Sequence, residues 1–190
     1  MSFMSKQEID QLGLKFVGRD VRISRKASFY NPGNIFINDH SRIDDFCILS
    51  AGSGGIQIGK YVHIGCYSSL IGEGKITIED FSGVSGRVSV YSSSDDSSGD
   101  FMCHPTVPSK YTNVQSGPVT IKKHVVIGSG SVILPNVVVE KGVFVGALSL
   151  IRYDCKAFSI YGGTPAKFIK SRNKNLCKLE EQFLAEKRKL

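Results

Sequence analysis

An aliphatic residue or phenylalanine recurs every six positions along most of this 190-residue chain. The series runs Val17, Ile23, Phe29; Ile37, Ile43, Leu49; Ile58, Ile64, Leu70; Ile78, Val84, Val90; then, after a gap, Ile121, Ile127, Ile133; Val139, Val145, Ile151. Val, Ile, Leu and Phe fill 57 of the 190 positions. One triplet, with six phases to choose from, therefore matches by chance about one time in six, and six triplets in about one trial of 10⁵. A helix has a period of 3.6 and a strand a period of 2. Here the apolar residue is also followed directly by a small or turn-forming one: Gly18, Asn38, Asp44, Gly59, Gly65, Gly128 and Gly146. Short strands joined by tight corners satisfy both demands. Three such strands close a triangular coil of about 18 residues, and coils stack about 4.8 Å apart around an inner apolar column. A single coil cannot bury its apolar side, so the stack shares one core. Its open ends need covers.

The sequence supplies two covers. Ser5-Lys6-Gln7-Glu8 forms a capping box and Gly13 a stop, which predicts a short helix over residues 5–12. Leu176, Leu179, Phe183 and Leu184 share one helical face, which predicts a helix over 173–188 packed on the last coil or on a neighbouring subunit. The expected architecture is all-β: a parallel β-helix of about six coils over residues 14–170, a loop insertion at 91–117 and a short helix at each end. Residues 1–190 form a single domain in this reading.

Other classes are disfavoured. No apolar run reaches the ~18 residues of a membrane helix, so no integral membrane contact is expected. MSFMSKQEID has no apolar stretch of a cleaved signal. Five widely spaced cysteines without a CxxC pair argue against disulfides and a thiolate zinc site and point to the cytoplasm. The four histidines (His40, His63, His104, His124) include no closely spaced pair, so no metal is expected. The net charge of +7 gathers near the C-terminus. It reads as a solvated helix face or a site for a polyanion. Nothing resembling a nucleic-acid motif accompanies it.

The repeat breaks between Val90 and Ile121. The intervening segment, YSSSDDSSGDFMCHPTVPSKYTNVQSGPVT, carries Asp95, Asp96, Asp100, His104, Tyr111 and Asn113. Long loops on rigid frames are common places for binding groups. At successive corners beyond it stand Gly128-Ser129 and Gly146-Ala147, small residues that leave a groove open.

Repeats such as IGKYVHIGCYSSLIG and IKKHVVIGSGSVILPNVVVEKGVFVG resemble those of the left-handed β-helix acyltransferases. VYSSSDD stands where the related maltose, galactoside and chloramphenicol acetyltransferases have a segment resembling IYTATHP, so that Asp95 replaces the histidine base. An alcohol must lose its proton to attack, whereas a neutral amine already has a free lone pair. YSSSDDSSG, PTVPSKYTNV, RIDDFCILS and IYGGTPAKFIK are closer to N-acyltransferases of nucleotide-linked amino sugars, such as the dTDP-4-amino-4,6-dideoxyglucose acyltransferases of surface-polysaccharide synthesis.

The resemblance implies acetyl-CoA or another short acyl-CoA as donor, a nucleotide-linked amino sugar as acceptor, direct attack on the thioester, and a homotrimer with sites between subunits. It places Asp95 beside the acceptor amine, with Ser85 and Asp96 near it, and CoA at Gly128, Ser129, Gly146 and Ala147. The segment Gly163–Lys167 resembles a GxPAK signature, which puts Lys167, Lys170 and Arg172 on CoA phosphates. Arg42, His63 and Arg87 are candidates for the acceptor's diphosphate. Two alternatives stay open: an O-acetyltransferase with His104 as base, and a non-catalytic β-helix scaffold.

Overall fold

The computed structural model describes residues 2–187. Three parallel sheets form the sides of a triangular prism. The first face contains Phe16–Val17, Ile35–Ile37, Ile56–Ile58, Ile76–Ile78, Val119–Ile121 and Val137–Val139. The second contains Arg22–Ile23, Arg42–Ile43, His63–Ile64, Gly83–Val84, Val126–Ile127, Phe144–Val145 and Ser159–Gly162. The third contains Ser28–Tyr30, Ile48–Ala51, Ser69–Gly72, Ser89–Tyr91, Val132–Ile133 and Leu150–Ile151. Each strand pairs with its counterpart one coil away, as in Ile43↔Ile64 and Val84↔Ile127.

The six-residue series is the inner column. All its members are buried except Val17 and Phe29, which lie in the first coil and are partly covered. The first face adds a second inward row that the series does not count: Ile35, Ile56, Ile76, Val119 and Val137. Six coils are complete, and Ser159–Gly162 begins a seventh. The regular coil ends there rather than at residue 170, because Lys167–Ser171 turns back antiparallel on Ser159–Gly162. The turn between them includes a cis Thr164–Pro165 bond.

The first cover is α1, Lys6–Asp10, with the expected capping box: Ser5 Oγ accepts from Glu8 N, and Glu8 Oε2 accepts from Ser5 N at 2.6 Å. Ile9 is its buried residue. The second is α2, Asn175–Lys187; residue 188 of the expected span lies outside the described residues.

Helix α2 packs elsewhere than expected. Between the first and second faces the chain turns through residues with positive φ: His40, Tyr61, Phe81 and His124. That conformation is costly for bulky side chains. Coil spacing places the rings in a stack, however, with centroid separations of 4.7, 4.9 and 5.4 Å, within the range where rings attract. Phe183 meets Tyr61 and Phe81 edge-on. The Glu180 carboxylate accepts from Lys123 Nζ and lies 2.7 Å from His124 Nε2. The helix therefore straps this corner instead of closing the last coil. Leu179 stays 56% exposed.

Candidate active site

The insertion leaves the prism after Ser89–Tyr91. Its neck is a two-stranded ribbon in which Ser93–Ser94 pairs antiparallel with Gln115–Ser116. Inside it, Asp96 is the brace. Its Oδ1 accepts from Ser98 N at 2.9 Å and Ser98 Oγ at 2.5 Å, and its Oδ2 accepts from Asn113 Nδ2 at 3.3 Å. The side-chain and backbone hydrogen bonds from Ser98 hold this carboxyl below the ordinary range. Asp96 is 8% exposed. The side chain, expected near the substrate, faces the loop's interior and supports the loop.

Asp95 points the other way. Its Oδ2 accepts from His104 N at 3.3 Å, and His104 Nδ1 lies 3.7 Å from the same oxygen. The two competing candidates for the base are therefore neighbours. Asp95 opens on a cleft of about 840 Å³ lined chiefly by Ile71, Tyr91, Val114, Val132 and Leu134. None of these was singled out from the sequence. They sit on the third face or in the insertion, outside the six-residue column.

Ser85 is not at this cleft. It follows Gly83–Val84 at the corner between the second and third faces, where its N–H donates to Ile127 O at 2.9 Å. The strand Ser89–Tyr91 separates it from Asp95. One prism side, about six residues of extended chain, spans on the order of 20 Å. A single chain holds the two apart.

Ser85 shares its corner with the expected CoA residues. The corner positions in successive coils are Asp44, Gly65, Ser85, Gly128 and Gly146. A Cβ at Gly128 would lie 2.5 Å from Ala147 N, so coil stacking itself requires that glycine. At Gly146 the closest atom would be Tyr161 O at 3.5 Å, which leaves room. Ser129 and Ala147 are exposed beside them. Lys167 and Lys170 are exposed on the strand that ends the second sheet.

Arg172, expected at the CoA phosphates, has partners within the chain. Its Nη1 donates to the carbonyls of His124, Gly142 and Val143 at 3.1–3.3 Å, and its guanidinium lies over the Phe144 ring. Burial lowers its pKa. It ties the chain entering α2 to the coils.

Arg42 and His63 converge on Asp44, a residue the sequence reading used only as a turn former. Arg42 Nε donates to Asp44 Oδ1 at 2.6 Å, and His63 Nε2 lies 2.8 Å from Oδ2. Asp44 is 5% exposed. Burial pushes its carboxyl up, but the hydrogen bonds and charges of Arg42 and His63 outweigh that and leave it below its ordinary value. This cluster stands in coils two and three of the second face, on the N-terminal side of Ser85. Arg87 lies over the Tyr67 ring at 5.8 Å, in the same corner as Ser85. Among the described residues no group of three His, Cys, Asp or Glu could hold a metal ion. Nor is any helix there long and apolar enough to cross a membrane.

Known proteins match this arrangement. The model of the bacterial transferase hexapeptide (six repeats) family covers residues 118–152. The chain is 51% identical over 183 residues to the dTDP-4-amino-4,6-dideoxy-D-glucose acyltransferase of Escherichia coli, covering 96% of this chain and 95% of that one. It superposes on a serine-to-alanine mutant of AntD, an N-acyltransferase from Bacillus cereus, bound to dTDP-4-amino-4,6-dideoxyglucose and coenzyme A. That match has a TM-score of 0.93 and 45% identity, and covers 97% of this chain and 98% of AntD. AntD bound to dTDP and 3-hydroxybutyryl-CoA matches with a TM-score of 0.92 and 44% identity, over 98% of both chains. The chain therefore belongs to the left-handed β-helix acyltransferases of the hexapeptide-repeat family, in the group of dTDP-4-amino-4,6-dideoxyglucose acyltransferase.

Proposed function

We propose that this enzyme transfers a short acyl group from acyl-CoA to the amine of a dTDP-linked 4-amino-4,6-dideoxyhexose, in the assembly of a surface polysaccharide. The observation that carries the reading is Asp95 at the mouth of the insertion, where a hydroxyl-acylating enzyme of this fold would carry its histidine. The AntD complexes with an amino sugar nucleotide, CoA and 3-hydroxybutyryl-CoA support both ligand classes. Membership in an acyltransferase family sets the scaffold alternative aside.

The amine attacks the thioester carbonyl carbon and a C–N bond forms. The tetrahedral oxyanion is held by backbone N–H groups and collapses with expulsion of the CoA thiolate. Asp95 orients the amine and takes its proton, and Ser85 hydrogen-bonds the reacting centre. No acyl-enzyme forms. Burial lifts the Cys47 and Cys155 thiols to about 11, which keeps them protonated. Cys103 Sγ donates to Asp96 O at 3.2 Å.

Ser85 and Asp95 act together only across subunits. Three prisms with their third faces toward a common axis bring the Ser85 corner of one subunit against the Asp95 loop of the next. The outward residues of that face include Ser28, Ile48, Ser69, Ser89, Val132 and Leu150 in one row and Tyr30, Ser50, Ile71 and Tyr91 in the other. An uncharged surface of this kind suits a subunit interface. Helix α2, at the opposite corner, does not obstruct it. We therefore propose a homotrimer, with CoA along Gly128, Ser129, Gly146 and Ala147 and its phosphates at Lys167 and Lys170. Free cysteines suit a cytoplasmic enzyme.

The test is thiol release from acetyl-CoA and 3-hydroxybutyryl-CoA with a dTDP-4-amino sugar and its 4-hydroxy analogue in parallel. Turnover of the amine alone is expected. Turnover of the hydroxyl compound alone would overturn the reading and move the base to His104.

A further inference from the structure

Gly83 is a glycine that the chain itself does not need. At Gly18, Gly59 and Gly65 a Cβ would lie 2.5–2.7 Å from the next coil, so stacking excludes any side chain there. At Gly83 a Cβ would meet nothing within 4 Å, and the φ angle is not in the left-handed region. A glycine inside a strand costs stability and often marks close approach by a ligand. Within one chain neither backbone conformation nor packing accounts for it.

Its neighbours indicate which ligand. The outward row of the second face reads, coil by coil, Arg22, Arg42, His63, Gly83, Val126, Phe144. The row carries two arginines and a histidine on one side of the gap and is apolar on the other. Gly83 stands two residues before Ser85, where the acceptor amine is placed. His63 lies one coil away and Arg42 two, both braced by the buried Asp44. A pyranose ring spans little more than one coil spacing of ~4.8 Å. With its amine beside Ser85, the diphosphate on its anomeric carbon falls against His63 and Arg42. Val126 and Phe144, on the far side, offer the apolar wall that a pantetheine arm requires.

We infer that the gap at Gly83 seats the hexose ring of the acceptor, with the diphosphate toward Arg42 and His63 and the donor thioester arriving from the Val126 side. The inference rests on the proposed function and adds a residue that sets acceptor fit. Gly83→Ala and Gly83→Val fill the gap in two steps without touching the fold, so the melting temperature of each is expected to stay at or above the parent's.

The experiment is steady-state kinetics of the full-length parent, Gly83→Ala and Gly83→Val, varying the dTDP-4-amino sugar and the acyl-CoA in turn. Acceptor KM should rise about tenfold for alanine and at least about a hundredfold for valine, with donor KM within about twofold. A rise confined to donor KM overturns the assignment and gives the gap to the acyl group. Unchanged constants in both variants overturn it outright. Should Gly83→Val melt early, an unchanged acceptor KM in Gly83→Ala is sufficient to overturn it. A parent without turnover on the amino sugar sinks the proposed function itself, whereas an active parent with unaffected variants sinks only the gap.

Discussion

The separation of Ser85 from Asp95 makes a quantitative prediction about mixed oligomers. Ser85→Ala and Asp95→Asn subunits, each with its own affinity tag, are co-expressed, and only assemblies carrying both tags are kept. Each variant alone is expected to be nearly inactive, because every interface then lacks one member of the pair. A closed ring of three has three equivalent junctions, each joining the Ser85 corner of one subunit to the Asp95 loop of the next. In a mixed ring, whether two-to-one or one-to-two, one junction joins an intact serine to an intact aspartate. Doubly tagged trimers should therefore show about one third of the parent kcat, with an unchanged KM at the restored site. The assay is thiol release per trimer, with mass by sedimentation on the same sample. Activity no higher than that of the separate variants would mean that both residues serve one subunit, and the third-face arrangement would be refuted. A stable active monomer would refute it as well.

Further perturbations separate the roles assigned above. Asp95→Asn can still accept from His104 N, so the loop should keep its shape while kcat falls about 10²–10⁴-fold for want of a proton acceptor; less than a tenfold loss contradicts that role. Asp96→Asn instead turns an amide toward the Ser98 donors. It should raise KM and expose residues 92–117 to proteolysis, with kcat changed less than in Asp95→Asn. Phe81→Ala removes a ring stacked on Tyr61 and His124 and touching Phe183, and should cost about 2–4 kcal/mol. At fixed protein concentration that lowers the melting temperature by roughly 4–16 °C. Burial alone would raise the Glu180 carboxyl, but hydrogen bonds and charges from Lys123 and His124 hold it below its ordinary value. Its contribution is therefore full above the unfolded carboxylate value of ~4.3 and is lost as pH falls through the lower folded value. Glu180→Gln should loosen α2 at neutral pH, seen as faster hydrogen exchange over 175–187, and flatten the acid limb of the stability curve.

The prism was legible because its signal is redundant. Each coil repeats the same demand, an apolar residue followed by a tight corner, and eighteen positions cannot agree by accident. The corner glycines could be read the same way, since coil spacing excludes a side chain at Gly18, Gly59, Gly65 and Gly128. Single occurrences carried less information. Asp95 and Asp96 are adjacent and chemically identical, and only the hydrogen bonds from Ser98 and Asn113 show that one faces inward. Arg172 looked like a phosphate ligand among other basic residues, yet three carbonyls close to its Nη1 give it another use. Leu179 lies on the apolar stripe of α2 but stays exposed, because that helix straps a row of aromatic rings instead of capping a coil. Such outcomes depend on where distant coils place their corners, which local sequence does not encode.

The position of the insertion follows from the same geometry. A solenoid offers an unbroken groove along each corner, and two long ligands approaching from opposite ends meet wherever something stops them. The row of Arg22, Arg42 and His63 belongs to the first three coils, and the open corner at Gly146 with the exposed Lys167 and Lys170 to the last. The point between them is coil four, with Gly83 and Ser85. The chain leaves the coil immediately after that coil's third strand, so the loop projects at this same height along the axis. In the proposed trimer, translation along the prism axis would break the threefold symmetry, so a partner's loop must arrive at the coil from which it left. In the proposed arrangement, an insertion after coil two or coil five would carry Asp95 to the diphosphate or to the pantetheine, where it could not reach the amine. On the proposed function, the chemistry fixes the coil at which the repeat breaks, and the proposed threefold axis carries that choice to the neighbouring subunit.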